Sequence, residues 1–256
     1  MLKAGQHPDW FGFVSIKRLD SSAYIEGGIA AQAHTGDNVD SFDRVFDLLD
    51  AWRHFPAYQL ERRADIFFAV YIPRVVQHRY GAQVAHIIPE FPIRIGTIYP
   101  DIPINKSYKA DYLVLATRPT LNLLVELKTD DTSRRPTQDR YLHAAKEAGL
   151  KKLVDGVLAI ADASQAKRKY ASLLAALDSA GLTRFDGNAH FNTTPPDFVI
   201  SLLYIQPTSS PEDLSAMGFT ELADVIADPI DQLSLRFASS LRTWASSRPG
   251  APGNPA

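Results

Sequence analysis

The apolar positions of this chain follow two periods in turn. From Asp40, Phe42, Val45, Phe46, Leu49 and Trp52 recur at helical spacing, and Phe55-Pro56 closes the stripe. A second helix is expected from about Ala57, carried by Leu60, Ala64, Phe67, Tyr71 and Val75. Pro73 should kink or split it, since it lacks an N–H and its ring crowds the preceding turn. Gly81 stands at the expected left-handed terminus. The period then drops to two. Residues 87–95 read as a strand with Phe91, Ile93 and Ile95 on one face, and Pro89 and Pro92 push it to a sheet edge. After a loop over 97–107, residues 109–116 (KADYLVLA) and 121–128 (LNLLVELK) read as a β-hairpin about the turn Thr117-Arg118-Pro119-Thr120.

Helices dominate residues 137–181, with breaks at Gly149 and at Ala163-Ser164-Gln165. Residues 198–205 (FVISLLYI) form an apolar run between Pro196 and Pro207, which predicts a buried strand. Residues 212–228 are mixed, and 231–246 make a last amphipathic helix with Leu233, Leu235, Phe237, Leu241 and Trp244. Near the N-terminus, Trp10–Val14 and Ala23–Ile25 suggest short strands or anchored loop ahead of a polar break at residues 34–38. The tail RPGAPGNPA, in 247–256, has the composition of a disordered segment. No repeat or linker divides the chain. The expectation is one α/β domain over 1–246, with an N-terminal elaboration (1–56), a core (about 57–206) and a C-terminal helix.

One feature of the hairpin conflicts with its apolar character. Side chains alternate along a strand, so Glu126 and Lys128 share a face while Val125 and Leu127 take the other. If Ala116 pairs with Leu121, Asp111 lies across from Glu126. If residues 118–121 form a type I turn instead, Asp111 faces Lys128. Either register puts Asp111, Glu126 and Lys128 on one face; a one-residue slip would send Asp111 to the other. A cross-strand ion pair on a solvated face is the ordinary fate of Glu-x-Lys. A structural pair, however, needs only one carboxylate. The second calls for more positive charge, which a divalent cation supplies. Two carboxylates on adjacent strands suit Mg²⁺ with Asp111 and Glu126 as ligands, and Lys128 is then available to hold water or offset phosphoryl charge.

Asp111, Glu126 and Lys128 in this setting resemble the motif of the PD-(D/E)XK nuclease superfamily, the restriction-endonuclease-like fold. The expected order, helix 57–80, strands 87–95, 109–116 and 121–128, helix 137–148 and strand 198–205, is similar to that family's α-β-β-β-α-β core. The resemblance covers about 57–206, with 150–181 as an insertion. Alanine, not proline, precedes Asp111. The resemblance implies a Mg²⁺-dependent phosphodiesterase, with Mn²⁺ as a substitute, acting on nucleic acid, DNA ahead of RNA. It also brings a homodimer into consideration. Some branches carry Gln and Tyr on the helix after the third strand; Gln138 and Tyr141 match, one residue closer together, and either reach the site or simply pack. Some add an acid from the preceding helix, for which Glu61 is the candidate. Glu90, set in the apolar strand 87–95, is its rival and the preferred third acid.

Composition adds little beyond this. The 256 residues are 45% hydrophobic and 22% charged, with no cysteine and a net charge of −2, which excludes disulfides and thiolate metal sites. The N-terminal sequence lacks a signal-peptide core and no apolar run reaches membrane-spanning length, so a cytoplasmic protein without a membrane partner is expected. The histidines show no HxxxH spacing, and there is no P-loop, GxGxxG or GxSxG. Residues 134–169 hold nine basic and four acidic side chains, a local excess of five positive charges. Arg134, Arg135, Lys167, Arg168 and Lys169, with Tyr141, are candidate phosphate contacts; a solvated helical face is the alternative. Two further readings stay open: a nuclease-like module that binds without cutting, and a structural α/β protein with an internal ion cluster.

Overall fold

A computed structural model of the chain describes residues 41–55, 58–102, 104–130, 134–185, 191–193, 198–210 and 212–246. The N-terminal strand candidates, the polar break at 34–38 and the tail lie outside these residues.

Helix α1 (Ser41–Trp52) is followed by α2 (Leu60–Tyr80), strand β1 (Gln83–Arg94), the single turn α3 (Ile95–Ile98), and the hairpin β2 (Ser107–Thr117) and β3 (Leu121–Leu127). Next come α4 (Pro136–Ala148), α5 (Leu150–Ala163), a 3-10 turn (Lys167–Tyr170) and α6 (Ala171–Ser179). The short antiparallel pair β4 (Thr183–Phe185) and β5 (Phe191–Thr193) precedes β6 (Ser201–Gln206), β7 (Ala216–Gly218), α7 (Phe219–Ile226) and α8 (Gln232–Ser246). The main sheet has five strands in the order β1-β2-β3-β6-β7. Its first two pairings are antiparallel and the last two parallel, so the protein is α/β with a mixed sheet.

Each sheet face has its own core. On one, Val114, Leu123, Val125, Leu127, Leu203 and Ile205 pack against α1, α2, α7 and α8, around Phe46, Phe68, Phe219, Phe237 and Trp244. On the other, Leu113, Leu115, Leu124, Leu202 and Tyr204 meet Leu142 of α4 and Leu153, Val154 and Val157 of α5. Gly156 lets α5 approach α3 closely: a Cβ there would stand 2.5 Å from Thr97 Oγ1. Among the described residues, no helix is long and apolar enough to cross a membrane.

Several sequence expectations change. Pro73 does not split α2, which runs through to Gly81, whose left-handed φ of 65° and N–H bond to Gln77 O end it. Tyr71, Ile72, Val75 and Val76 are buried on both sides of the proline, and that burial outweighs the roughly 3 kcal/mol a proline costs. The stripe of α1 is only half used: Phe46 and Leu49 are buried, whereas Phe42, Val45 and Trp52 are exposed. The strand expected from Phe198 starts at Ser201. Ahead of it, Phe198 O accepts the Leu150 N–H and Val199 O accepts the Asn122 amide, so these carbonyls are satisfied outside the sheet ladder. Ile95 leaves β1 to open α3. Strand β1 does lie at the sheet edge, as its prolines require.

Candidate active site

The hairpin adopts the register in which Ala116 pairs with Leu121, and its ladder runs to Tyr112–Val125. One step further, Asp111 and Glu126 come together. Asp111 Oδ2 accepts the backbone N–H of Leu127 at 2.6 Å. On Glu126, Oε1 accepts Lys128 Nζ at 2.6 Å, and the same ammonium donates to Leu127 O at 2.7 Å. Glu126 and Lys128 are 2% and 3% exposed. The Lys128 N–H bonds Ile205 O on β6, so the cluster sits at the carboxyl ends of the parallel pair β3–β6, where α/β sheets form ligand sites.

Helix α4 brings Gln138, whose amide donates to Glu126 Oε1. Tyr141, one turn on, is buried. Its hydroxyl donates to Lys109 O at 3.1 Å, and its ring stacks on Tyr108 with centroids 4.2 Å apart and planes 3° from parallel. Glu61, in the first turn of α2, faces the cluster closely enough to feel the charges of Lys128 and Asp111. Glu90 approaches from the edge strand, since the pairs Pro89–Tyr112 and Phe91–Ala110 set it beside Asp111. Its φ is 52°, in the left-handed region. Ile88 and Phe91, three residues apart, both face the α4–α5 layer, so Glu90 marks a break in the strand's alternation. Its carboxylate pairs with Lys109, and the two side chains are 62% and 61% exposed.

Burial is the main cause of the cluster's electrostatics. It raises the pKa of Glu126, with the Asp111 carboxylate adding to the shift and Lys128 opposing it, to about 8. Burial also raises Asp111, against the Leu127 N–H and Lys128, with Glu90 and Asp65 adding to the shift. Glu61 is raised by burial to about 7, opposed by Lys128 and reinforced by Asp111 and Asp130. Lys128 thus contacts one carboxylate, Glu126, and its charge also acts on two more, Asp111 and Glu61.

Among the described residues, no group of three or more His, Asp and Glu side chains is arranged to hold a metal. Mg²⁺ needs fewer, because it keeps several waters and takes one or two carboxylates. Asp111 and Glu126 supply that number of carboxylates. Glu126 Oε2 is buried without a hydrogen-bond partner, and such an atom calls for a proton or a cation.

The basic candidates divide. Arg135, Lys167, Arg168 and Lys169 are exposed. The last three lie in the 3-10 turn, which packs on α5 and α6. Arg134 is engaged within the fold, paired with Asp139 at 3.1 Å and Asp213 at 3.3 Å. Lys109 and Tyr204 join the site although the sequence motif includes neither. Tyr204 is the parallel partner of Glu126, a pairing across 78 residues of chain that no local pattern reveals. Lys109 had a local signal: it is two residues from Asp111 on the same strand.

No protein-family model, curated protein or solved structure matches the chain.

Proposed function

We propose that the chain is a nuclease, a divalent-metal-dependent phosphodiesterase on a restriction-endonuclease-like core, acting on DNA ahead of RNA. One observation carries the reading: the buried Glu126–Lys128 pair lies beside a second carboxylate, Asp111, and leaves Glu126 Oε2 unpartnered. A structural ion pair has no use for the extra acid. The helix-strand-hairpin-helix-strand order around it supports the reading further.

Asp111 and Glu126 would hold Mg²⁺ or Mn²⁺, which when bound supplies Lewis-acid neutralisation of phosphoryl charge. The remaining roles belong to the chain itself. Among the described residues, two of the three Lys128 donors are used, on Glu126 and Leu127 O. The third is left to orient a water toward phosphorus and to offset charge growing on the phosphoryl oxygens. Gln138 holds Glu126 in its rotamer. Glu61, with a pKa near neutrality, is suited to take the water's proton as the new P–O bond forms and the ester P–O bond breaks.

The test is incubation of the protein with circular single-stranded DNA, plasmid and RNA, with Mg²⁺, Mn²⁺ or EDTA, alongside Asp111→Ala and Lys128→Ala. Metal-dependent cleavage lost in both variants is the expected result. Stabilisation by Mn²⁺ that needs Asp111, without cleavage, would mark a metal site inactive on these substrates. Absence of both would overturn the reading in favour of a binding module.

A further inference from the structure

Arg134 is the basic residue closest in sequence to Lys128, yet its guanidinium is used inside the protein. It lies over the Tyr204 ring, 4.0 Å from the centroid. Its Nε donates to both carboxylate oxygens of Asp139 at 3.1 Å. Nη1 donates to Asp213 Oδ2 at 3.3 Å and to Gln206 Oε1 at 3.4 Å. Asp213 is itself fixed by the Ser215 N–H at 3.0 Å and hydroxyl at 2.6 Å, and Ser215 O accepts the Tyr204 N–H at 2.7 Å. One side chain therefore ties together the segment after β3, the first turn of α4 and the β6–β7 connection.

Both branches of this network end at Glu126. Tyr204 is its register partner on β6. Asp139 adjoins Gln138, whose amide donates to Glu126 Oε1. Helix α4 opens without a side-chain cap: Arg135 at the N-cap makes no such bond. Its first turn is held instead through Asp139. A planar guanidinium suits this work, because it stacks on a ring while its in-plane donors reach two carboxylates; an ammonium cannot do both.

We propose that Arg134 is a positioning residue of the candidate site: it docks the first turn of α4 onto β6 so that Gln138 meets Glu126, and it does not contact phosphate. The consequence for metal binding rests on the nuclease reading; the placement of Gln138 does not.

The experiment compares wild type, Arg134→Lys, Arg134→Ala, Gln138→Ala and the Arg134→Ala/Gln138→Ala double variant, with Asp139→Asn as a milder route to the same break. Two quantities are read: the Mn²⁺ concentration giving half of the maximal Tm shift, and the NMR signal of the Gln138 side-chain amide. Both Arg134 variants should raise the Mn²⁺ midpoint about tenfold, the usual consequence of losing an outer-shell partner. Arg134→Ala should add nothing to Gln138→Ala. The Gln138 amide should move toward the position of a free glutamine in Arg134→Lys, Arg134→Ala and Asp139→Asn. A lower Tm with an unchanged midpoint and an unmoved amide would overturn the proposal. So would a Lys variant that behaves as wild type while Arg134→Ala loses only oligonucleotide binding, which is the signature of a phosphate contact. If wild type shows no Mn²⁺ response, the amide signal alone decides: movement upholds the docking role, and no movement overturns it; the nuclease reading fails separately, when metal-dependent cleavage is absent as well.

Discussion

Asp111 on β2 accepts the backbone N–H of Leu127 on β3 at 2.6 Å, one residue beyond Glu126. This bond continues the hairpin where its backbone ladder ends, and it holds one carboxylate against the strand that carries the other. Asp111→Asn keeps an acceptor for the Leu127 N–H and should fold with nearly wild-type stability. Asp111→Ala leaves that donor unpaired and should cost about 1–3 kcal/mol. Both should abolish the Mn²⁺-dependent rise in Tm. Chemical denaturation with and without Mn²⁺ separates the two effects, and a metal response retained in Asp111→Asn would remove Asp111 from the ligand set.

Stability of the metal-free protein should fall as pH rises. Burial raises the folded-state pKa of Glu61 to about 7 and of Glu126 to about 8, above the ordinary glutamate range near 4.3. Between those limits the folded state binds more protons than the unfolded state, so unfolding free energy decreases with pH. The loss should begin above about pH 4.5 and end near pH 8. Mn²⁺ competes with these protons, so its stabilising effect should grow across the same window. Tm measured from pH 5 to 8.5 in EDTA and in Mn²⁺ provides both curves; parallel curves would contradict the assignment.

Lys128 is the cation within a buried, carboxylate-rich cluster. Lys128→Met should abolish cleavage and destabilise the fold by about 3 kcal/mol at pH 8, the scale for stranding a buried charge. The cost should shrink at pH 6, where Glu126 takes up a proton. Adding Glu126→Gln should recover much of the stability and none of the activity. Denaturation of single and double variants at both pH values tests the coupling.

Glu90 holds a φ of 52° in an edge strand, a conformation glycine adopts without penalty. Its exposed pair with Lys109 contributes little, since such pairs are worth about 0–1 kcal/mol. Glu90→Gly should therefore leave Tm unchanged or raise it by about 2–4 °C. If Glu90 serves the site as a third acid, the same variant should weaken the Mn²⁺ response. A large fall in Tm would show the strand break to depend on the glutamate side chain.

Much of this arrangement was legible from local pattern. The 3.6-residue stripes located α1, α2 and α8, because an amphipathic helix writes its buried face into the sequence, while α4 and α5 were legible only as a helical region, 137–181, broken at Gly149 and at 163–165. The two-residue period over 109–128 located the hairpin. Parity put Glu126 and Lys128 on one face, since alternation along a strand is a property of the backbone, and either of the two expected registers added Asp111; the observed pairing of Ala116 with Leu121 is one of them. Other features had no local trace. Strand β7 has three residues, Ala216–Gly218, too few to show a period. Phe198 and Val199 have the composition of a strand but take their backbone partners elsewhere.

The sequence by itself determined that Glu126 and Lys128 share one face of an apolar hairpin, because alternation follows from backbone geometry; that Asp111 joins them was decided by the cross-strand register. Only the tertiary structure decided their surroundings. The pairing of Glu126 with Tyr204, the reach of Gln138, the approach of Glu61 from α2 and the capture of Arg134 by Asp139 and Asp213 depend on how distant segments pack. Burial, which raises the Asp111, Glu126 and Glu61 pKa values, is likewise a property of the assembled layers and not of any one strand.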